Sequence, residues 1–365
     1  MKRMVTRLAL LVALLLLVLQ SGPASAVPGG ITSKSLAVKT SAGIKQVKAV
    51  YVDLNDPQVR IFPVLAQGKV GKTESLMSMA KRSRAVAAIN GTFFNSYSDM
   101  QPQGNLQVDG TFHYLNNTGS SLGIAAGNKI RFETIRFSIT GTVDGPSKAN
   151  LAPWDQYLKN WYAWSVNRVN TNPDAITIFT PARGMWTGVK TGTNVVVSGG
   201  RVVRVCCGDT VIPRDGYVIN FGSGASAQKY VERFVPGDTV TYQVNITDTS
   251  GNDVGWSEVK HTLGAGPILV RNGRVDVNLS AEGMTDPKIT RNGGARSFIG
   301  ITPANQLVLA TVTGATVRQL AEIAQKMGRQ HAMNLDGGAS SGLYYQGKYL
   351  TTPGRDLSNC LVVVR

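Results

Sequence analysis

Forty glycines punctuate this chain, cutting it into short runs rich in Val, Ile, Thr and Tyr and leaving little room for long helices. Such side chains prefer the pleated, half-buried surface of a sheet, and the turn residues between the runs mark where strands end. Residues 47–54, 59–65, 129–135, 175–179, 194–197, 201–205, 217–221 and 239–246 read as strands, so the middle third is β-rich. The predicted class is α+β, with mixed β-sheets and a few flanking helices.

Two helices stand out against this background. The first covers residues 73–82, with Leu76, Met79 and Ala80 on one face. The second begins at Thr316, whose hydroxyl and Gln319 three residues on form a capping box. It buries Val317, Leu320, Ala324 and Met327 and stops at Gly328. Each helix is followed by a short apolar stretch and a polar glycine turn: Ile89 runs into Asn90-Gly91, and Leu335 into Asp336-Gly337-Gly338. In open α/β sheets ligands gather at the carboxyl ends of strands, so both loops are expected at one shared site. A loop-like stretch over residues 141–154 suggests that one fold, residues 27–365, is interrupted by a β-rich insertion at about 135–259.

The N-terminus places Lys2, Arg3 and Arg7 ahead of an unbroken apolar run over residues 8–19, closed by Ala24-Ser25-Ala26. That is the order of charge, apolar core and cleavage site in a secretory signal peptide. As a helix the run would rise only about 18 Å, short of the roughly 30 Å hydrocarbon core, so a membrane anchor fits poorly. We expect cleavage after residue 26 and a soluble protein that is secreted or wall-associated. Losing those three cations takes the net charge from +16 to +13. A basic protein outside the cell suits polyanionic partners such as phosphate-bearing wall polymers or an anionic surface. Nucleic acid is not expected, because no zinc spacing, aromatic RNP-like run or dense Lys/Arg block occurs. Cys206, Cys207 and Cys360 are too few for a disulfide framework, and the vicinal pair lacks the spacer of a redox site.

Chemistry concentrates in residues 334–341, where one carboxylate, one amide and two hydroxyls surround two glycines. Glycines there let backbone N–H groups approach a ligand oxygen closely. A tight turn closed by an Asx hydrogen bond would also account for that segment alone. The surrounding blocks add weight: residues 87–94 (AAINGTFF), 264–270 (GAGPILV) with Asn272-Gly273, Arg296 before Ile299-Gly300, Val312-Thr313-Gly314, the helix over residues 320–327, the 334–341 loop, and Arg355 with Asn359. In identity and order they resemble the phosphodiester glycosidase family over roughly residues 45–365, most loosely between 135 and 259. Departures from that pattern are Thr92 and Ala339 where glycines are usual, and Ser297-Phe298 after Arg296.

The resemblance implies hydrolysis of a sugar joined through its anomeric carbon to a phosphodiester, and no cofactor is expected. A phosphate monoester is a stable leaving anion, so general-acid protonation matters less than in ordinary glycosidases. Charge stabilisation matters more. Asp336 is expected to support the cationic sugar as nucleophile, base or electrostatic partner, and Glu282 is the second carboxylate. Arg296 and Arg355 offer planar forks for phosphate oxygens. Asn90, Gly91, Thr92, Gly266, Asn334, Gly337, Gly338, Ser340 and Ser341 are expected to bind substrate through side chains or backbone amides. Phe93 and Phe94 should pack beneath their loop, and His113, His261 and His331 give little basis for a histidine mechanism. No ligand cluster recommends a metal. Two other readings remain: a non-catalytic binder of wall polymer or exopolysaccharide on the same fold, and a glycoside hydrolase without phosphate dependence.

Overall fold

The computed structural model describes residues 30–365; the signal-peptide reading and the start at Val27 lie outside them. All eight expected strand segments are strands, and both helices form. The first helix runs Leu76–Arg82, later than its apolar pattern suggests, because Ser75 keeps an extended backbone and accepts a hydrogen bond from Ser78 N at 3.2 Å. The second is Val317–Lys326, with both halves of the Thr316/Gln319 capping box in place.

Four sheets carry the described residues. A seven-stranded sheet has the order Ile31–Thr40, Gly43–Asp53, Gln306–Ala315, Gly294–Ile301, His331–Asn334, Ile268–Arg271, Arg274–Val275. A five-stranded sheet has the order Lys348–Thr351, Leu343–Tyr345, Ala87–Asn90, Asn359–Val364, Arg60–Leu65, and a second is centred on Val259–Ala265. Their inner faces share one apolar core containing Val50, Ile89, Leu106, Leu263, Ile299 and Leu361.

The two helices cover outer faces. Helix Val317–Lys326 packs Leu320 and Ala324 on Phe298 and Ala332 of the seven-stranded sheet. Helix Leu76–Arg82 packs Met79 on Ala88 and Val362 of the five-stranded one. Strands Ala87–Asn90 and His331–Asn334 are therefore buried on both faces, which is why each reads as a short continuous apolar run rather than an alternation. Phe298, a departure from the family pattern, is simply part of the packing under the second helix.

Between residues 136 and 247 an eight-stranded sheet gathers its own apolar cluster, including Ile139, Trp161, Ile178, Val197 and Phe221. Leu115, from the stretch just before it, joins this cluster, and Asn167 ties back by donating to the His113 carbonyl at 2.8 Å. No helix among the described residues is long and apolar enough to cross a membrane.

Candidate active site

The two glycine-turn loops do converge, though not by the rule that suggested it. That rule belongs to parallel sheets, whereas the strands preceding these loops pair antiparallel and lie in two different sheets. What joins them is a set of hydrogen bonds across the seam. Asp336 N donates to Gly91 O at 3.1 Å, and Asn90 Nδ2 donates to Asp336 O at 2.7 Å.

Asn90 is fully buried at this seam. Its Oδ1 accepts from Ser297 Oγ at 2.7 Å and from Gly342 N at 3.1 Å, so both ends of the amide are committed to protein. The expectation that Asn90 touches substrate is corrected: it positions the Asp336 loop from behind. The same burial removes its neighbours from direct contact. Gly91 sits where a Cβ would fall 1.9 Å from Asn359 Oδ1, and that oxygen accepts from Thr92 N at 3.0 Å. Asn334 donates to Gly266 O at 2.7 Å, and Gly266 N donates to Asn334 O at 3.0 Å. Gly266 adopts φ +105° at the turn, with its α-carbon pressed against Glu282 and Met284. Asn90, Gly91, Thr92, Gly266, Asn334 and Ser341 form a buried foundation.

Glu282, the expected second carboxylate, also lies behind the wall. It accepts from Ser120 Oγ at 2.6 Å and from Ile268 N at 2.8 Å, and is 3% exposed. Burial raises its pKa above the ordinary value, and the two hydrogen bonds only partly offset this. Its role in the geometry is to hold the 264–268 turn.

In front of this foundation opens a cavity of about 1130 Å³, reached by Asp336, Gly337, Gly338, Ser340, Arg296 and Arg355. The Asp336 carboxylate accepts from Gly337 N at 2.8 Å and is bonded by the Ser340 hydroxyl. Desolvation pushes its pKa up to about 6, against the opposing pull of those hydrogen bonds and of the Arg355 and Arg296 charges. A carboxyl poised there changes charge near neutrality, as acid–base groups of active sites do.

The arginines differ. Arg296, 5% exposed, gives Nε to Ala315 O at 3.0 Å and Nη2 to Lys288 O at 2.7 Å and Asn292 O at 2.6 Å. Its Nη1 makes no hydrogen bond among the described residues and lies 3.5 Å from where a Cβ on Gly337 would stand. Burial lowers its pKa and Asp336 raises it. Arg355 is half-exposed at the rim; it donates to Ser96 Oγ and, at 2.9 Å, to Tyr97 Oη, with its guanidinium 5.0 Å from the Tyr97 ring centroid.

Several lining groups were not anticipated from the sequence. Phe93 and Phe94, expected beneath their loop, line the cavity, with Phe93 also packed against the core; Tyr97, Asp99 and Gln101 of the loop that follows and Arg168 from the eight-stranded lobe line it too. Asp99 takes hydrogen bonds from Asn95 and Gln101; these outweigh its burial and hold its pKa below the usual carboxylate value. Nothing local marks Tyr97, Asp99, Gln101 or Arg168, because they stand in ordinary polar loops. His261 and His113 lie elsewhere, their pKa values lowered by burial.

Two solved structures share the fold. A hypothetical protein from Synechocystis superposes with a TM-score of 0.78 at 23% identity, covering 92% of this chain; the chain spans only 62% of that protein. A candidate exported protein of Burkholderia pseudomallei K96243 gives a TM-score of 0.71 at 18% identity, covering 88% of this chain and 74% of that one. The catalytic domain of zebrafish N-acetylglucosamine-1-phosphodiester alpha-N-acetylglucosaminidase reaches a TM-score of 0.48 at 14% identity, covering 92% and 83%, a likeness too weak to carry weight. No curated protein matches the chain. By sequence, residues 191–364, which hold Arg296, Asp336 and Arg355, match the phosphodiester glycosidase family.

Proposed function

We propose that the chain is an exported hydrolase that cleaves a glycosyl phosphodiester at the sugar anomeric carbon, acting outside the cell on a phosphate-bearing wall polymer or exopolysaccharide. The observation that carries this reading is Asp336: a carboxylate poised near pH 6 at the floor of a large cavity, under the influence of two arginines. Export rests on the N-terminal charge, apolar run and Ala24-Ser25-Ala26.

The chemistry follows from the charges. As the bond from the anomeric carbon to the phosphate oxygen breaks, its electron pair leaves with phosphate and the sugar becomes cationic. Arg355 and the Nη1 of Arg296 receive the anionic leaving group by charge-assisted hydrogen bonds. Asp336 faces the cation and takes a proton from the attacking water, whose oxygen forms the new bond to the anomeric carbon. The products are a free sugar and a phosphomonoester. Because phosphate departs as an anion, no second carboxylic acid is required, and a buried Glu282 is consistent with that economy.

The test is an assay of the purified protein on a panel of glycosyl phosphodiesters, with free sugar and phosphomonoester measured separately. Stoichiometric release of both is expected. Binding without release by a folded protein would overturn the enzymatic reading in favour of polymer capture.

A further inference from the structure

We propose that the cavity holds a second anion subsite, centred on Arg168, which binds the phosphate of a neighbouring repeat, so that the protein engages an anionic polymer at two points. This deepens the proposed function by naming the substrate class, and it rests on that reading for the identity of the first point.

Volume raises the question. About 1130 Å³ exceeds the range of roughly 300–1,000 Å³ typical of pockets that enclose a whole drug-sized ligand, and one sugar phosphate is smaller than such a ligand. Asp336, Arg296 and Arg355 account for one end. Residues 168–171 of the eight-stranded lobe line the same cavity.

Arg168 is aimed by an unusual backbone. Asn167 before it adopts φ +57°, a left-handed conformation that non-glycine residues seldom take. Asn167 is fully buried and locked there: its Nδ2 donates to His113 O at 2.8 Å and Thr180 Oγ1 at 2.7 Å, and its Oδ1 accepts from Thr180 N at 2.8 Å. On the other side, Val169 N donates to Gln101 Oε1 at 2.7 Å. Arg168 therefore sits in a loop held at two fixed points, and it lines the cavity.

Its charge is uncommitted. Among the described residues Arg168 forms no ion pair, and its one hydrogen bond runs from Nη1 to the neutral Asn116 Oδ1 at 3.0 Å. The acid on this wall, Asp99, spends its oxygens on Asn95 and Gln101 amides. A half-buried arginine that keeps most of its donors without an anionic partner suits a phosphate, whose oxygens match the guanidinium fork. The two ends are linked mechanically. Asn116 Nδ2 donates to Gln103 O at 3.2 Å, Gln103 bonds Asn95, and the next residues, Ser96 and Tyr97, hold Arg355. One loop thus spaces the two arginines.

Linear polyphosphate of about ten units can bridge two subsites, whereas inorganic phosphate can occupy only one at a time. Titration calorimetry should give polyphosphate binding at least about tenfold weaker for Arg168→Ala than for the unaltered protein, the loss expected for one charge-assisted contact. Arg204→Ala, which removes the same charge from an exposed strand outside the cavity, should stay within about twofold of the unaltered protein. Arg168→Lys, which keeps the charge and packing but not the fork, should fall between. If Arg168→Ala and Arg204→Ala lose affinity equally while both melt as the unaltered protein does, the subsite is overturned and only diffuse charge remains. Failure to hydrolyse any glycosyl phosphodiester would overturn the proposed function but leave this binding comparison decisive for Arg168.

Discussion

Asp336 carries opposite consequences for rate and for stability, and that conflict can be measured. With its pKa raised from 3.8 to about 6 by desolvation, the carboxylate needed to face a sugar cation is present above about pH 6 and lost below it. Turnover should therefore fall about tenfold between pH 7 and pH 5, and a pH–rate profile flat through that range would remove Asp336 from the chemistry. Stability runs the other way. The folded protein binds more protons than the unfolded chain between the two pKa values, so this residue's contribution falls as pH rises from 3.8 towards 6. Asp336→Asn, which abolishes the charge and keeps the shape, should cost about 10²-fold or more in turnover yet melt no lower than the unaltered protein at pH 7. The arginines separate in the same experiment. Arg296→Ala would orphan three backbone carbonyls and should lower the melting temperature, whereas Arg355→Ala, at the rim, should raise KM for phosphodiesters with little change in melting. Equal melting losses for the two would contradict this division.

At the scale of elements, the site is a seam between two sheets, and Asn90 is its fastener. It carries one bond to the Asp336 carbonyl and accepts from Ser297 and Gly342, each more than 200 residues away from it in sequence. Asn90→Ala should cost about 1–3 kcal/mol through the unpaired groups it leaves. It should also depress kcat without touching substrate, by loosening the loop that sets Asp336. Chemical denaturation and steady-state kinetics on the same preparation would check this, and a normal kcat in a destabilised protein would sink the positioning role. Ser297, a departure from the family pattern, takes a part here that its neighbour Phe298 does not: one braces the site, the other fills the core under the second helix.

For the whole molecule, residues 27–365 carry a net charge of +13, and a field of that sign draws in anionic polymer at a rate that salt suppresses. Raising ionic strength from about 0.05 to 0.5 M shortens the screening length from about 14 to 4 Å. The apparent KM for a phosphate-rich polymer should then rise several-fold, while that for a small glycosyl phosphodiester changes less. Indifference of both substrates to salt would show the charge to be unrelated to binding. The eight-stranded lobe belongs to this scale too, because it contributes Arg168 to the cavity that Asp336 also lines.

Strands, both helices and the importance of the 334–341 loop were legible in the chain, because each is written locally: apolar runs between glycines, a capping box, a carboxylate among hydroxyls. Asp336, Arg296 and Arg355 stand out by residue type together with the family resemblance, and all three line the cavity. What stands in front and what stands behind was not legible. Asn90, Asn334 and Glu282 have the composition of ligand-binding groups, and only the packing of two antiparallel sheets reveals that they are buried against other parts of the protein. Arg168 and the 95–103 loop carry no local signature, and they reach the cavity through contacts between segments 50 to 70 residues apart. Local sequence fixes which groups a segment offers; whether solvent, substrate or another strand takes them is decided by tertiary burial.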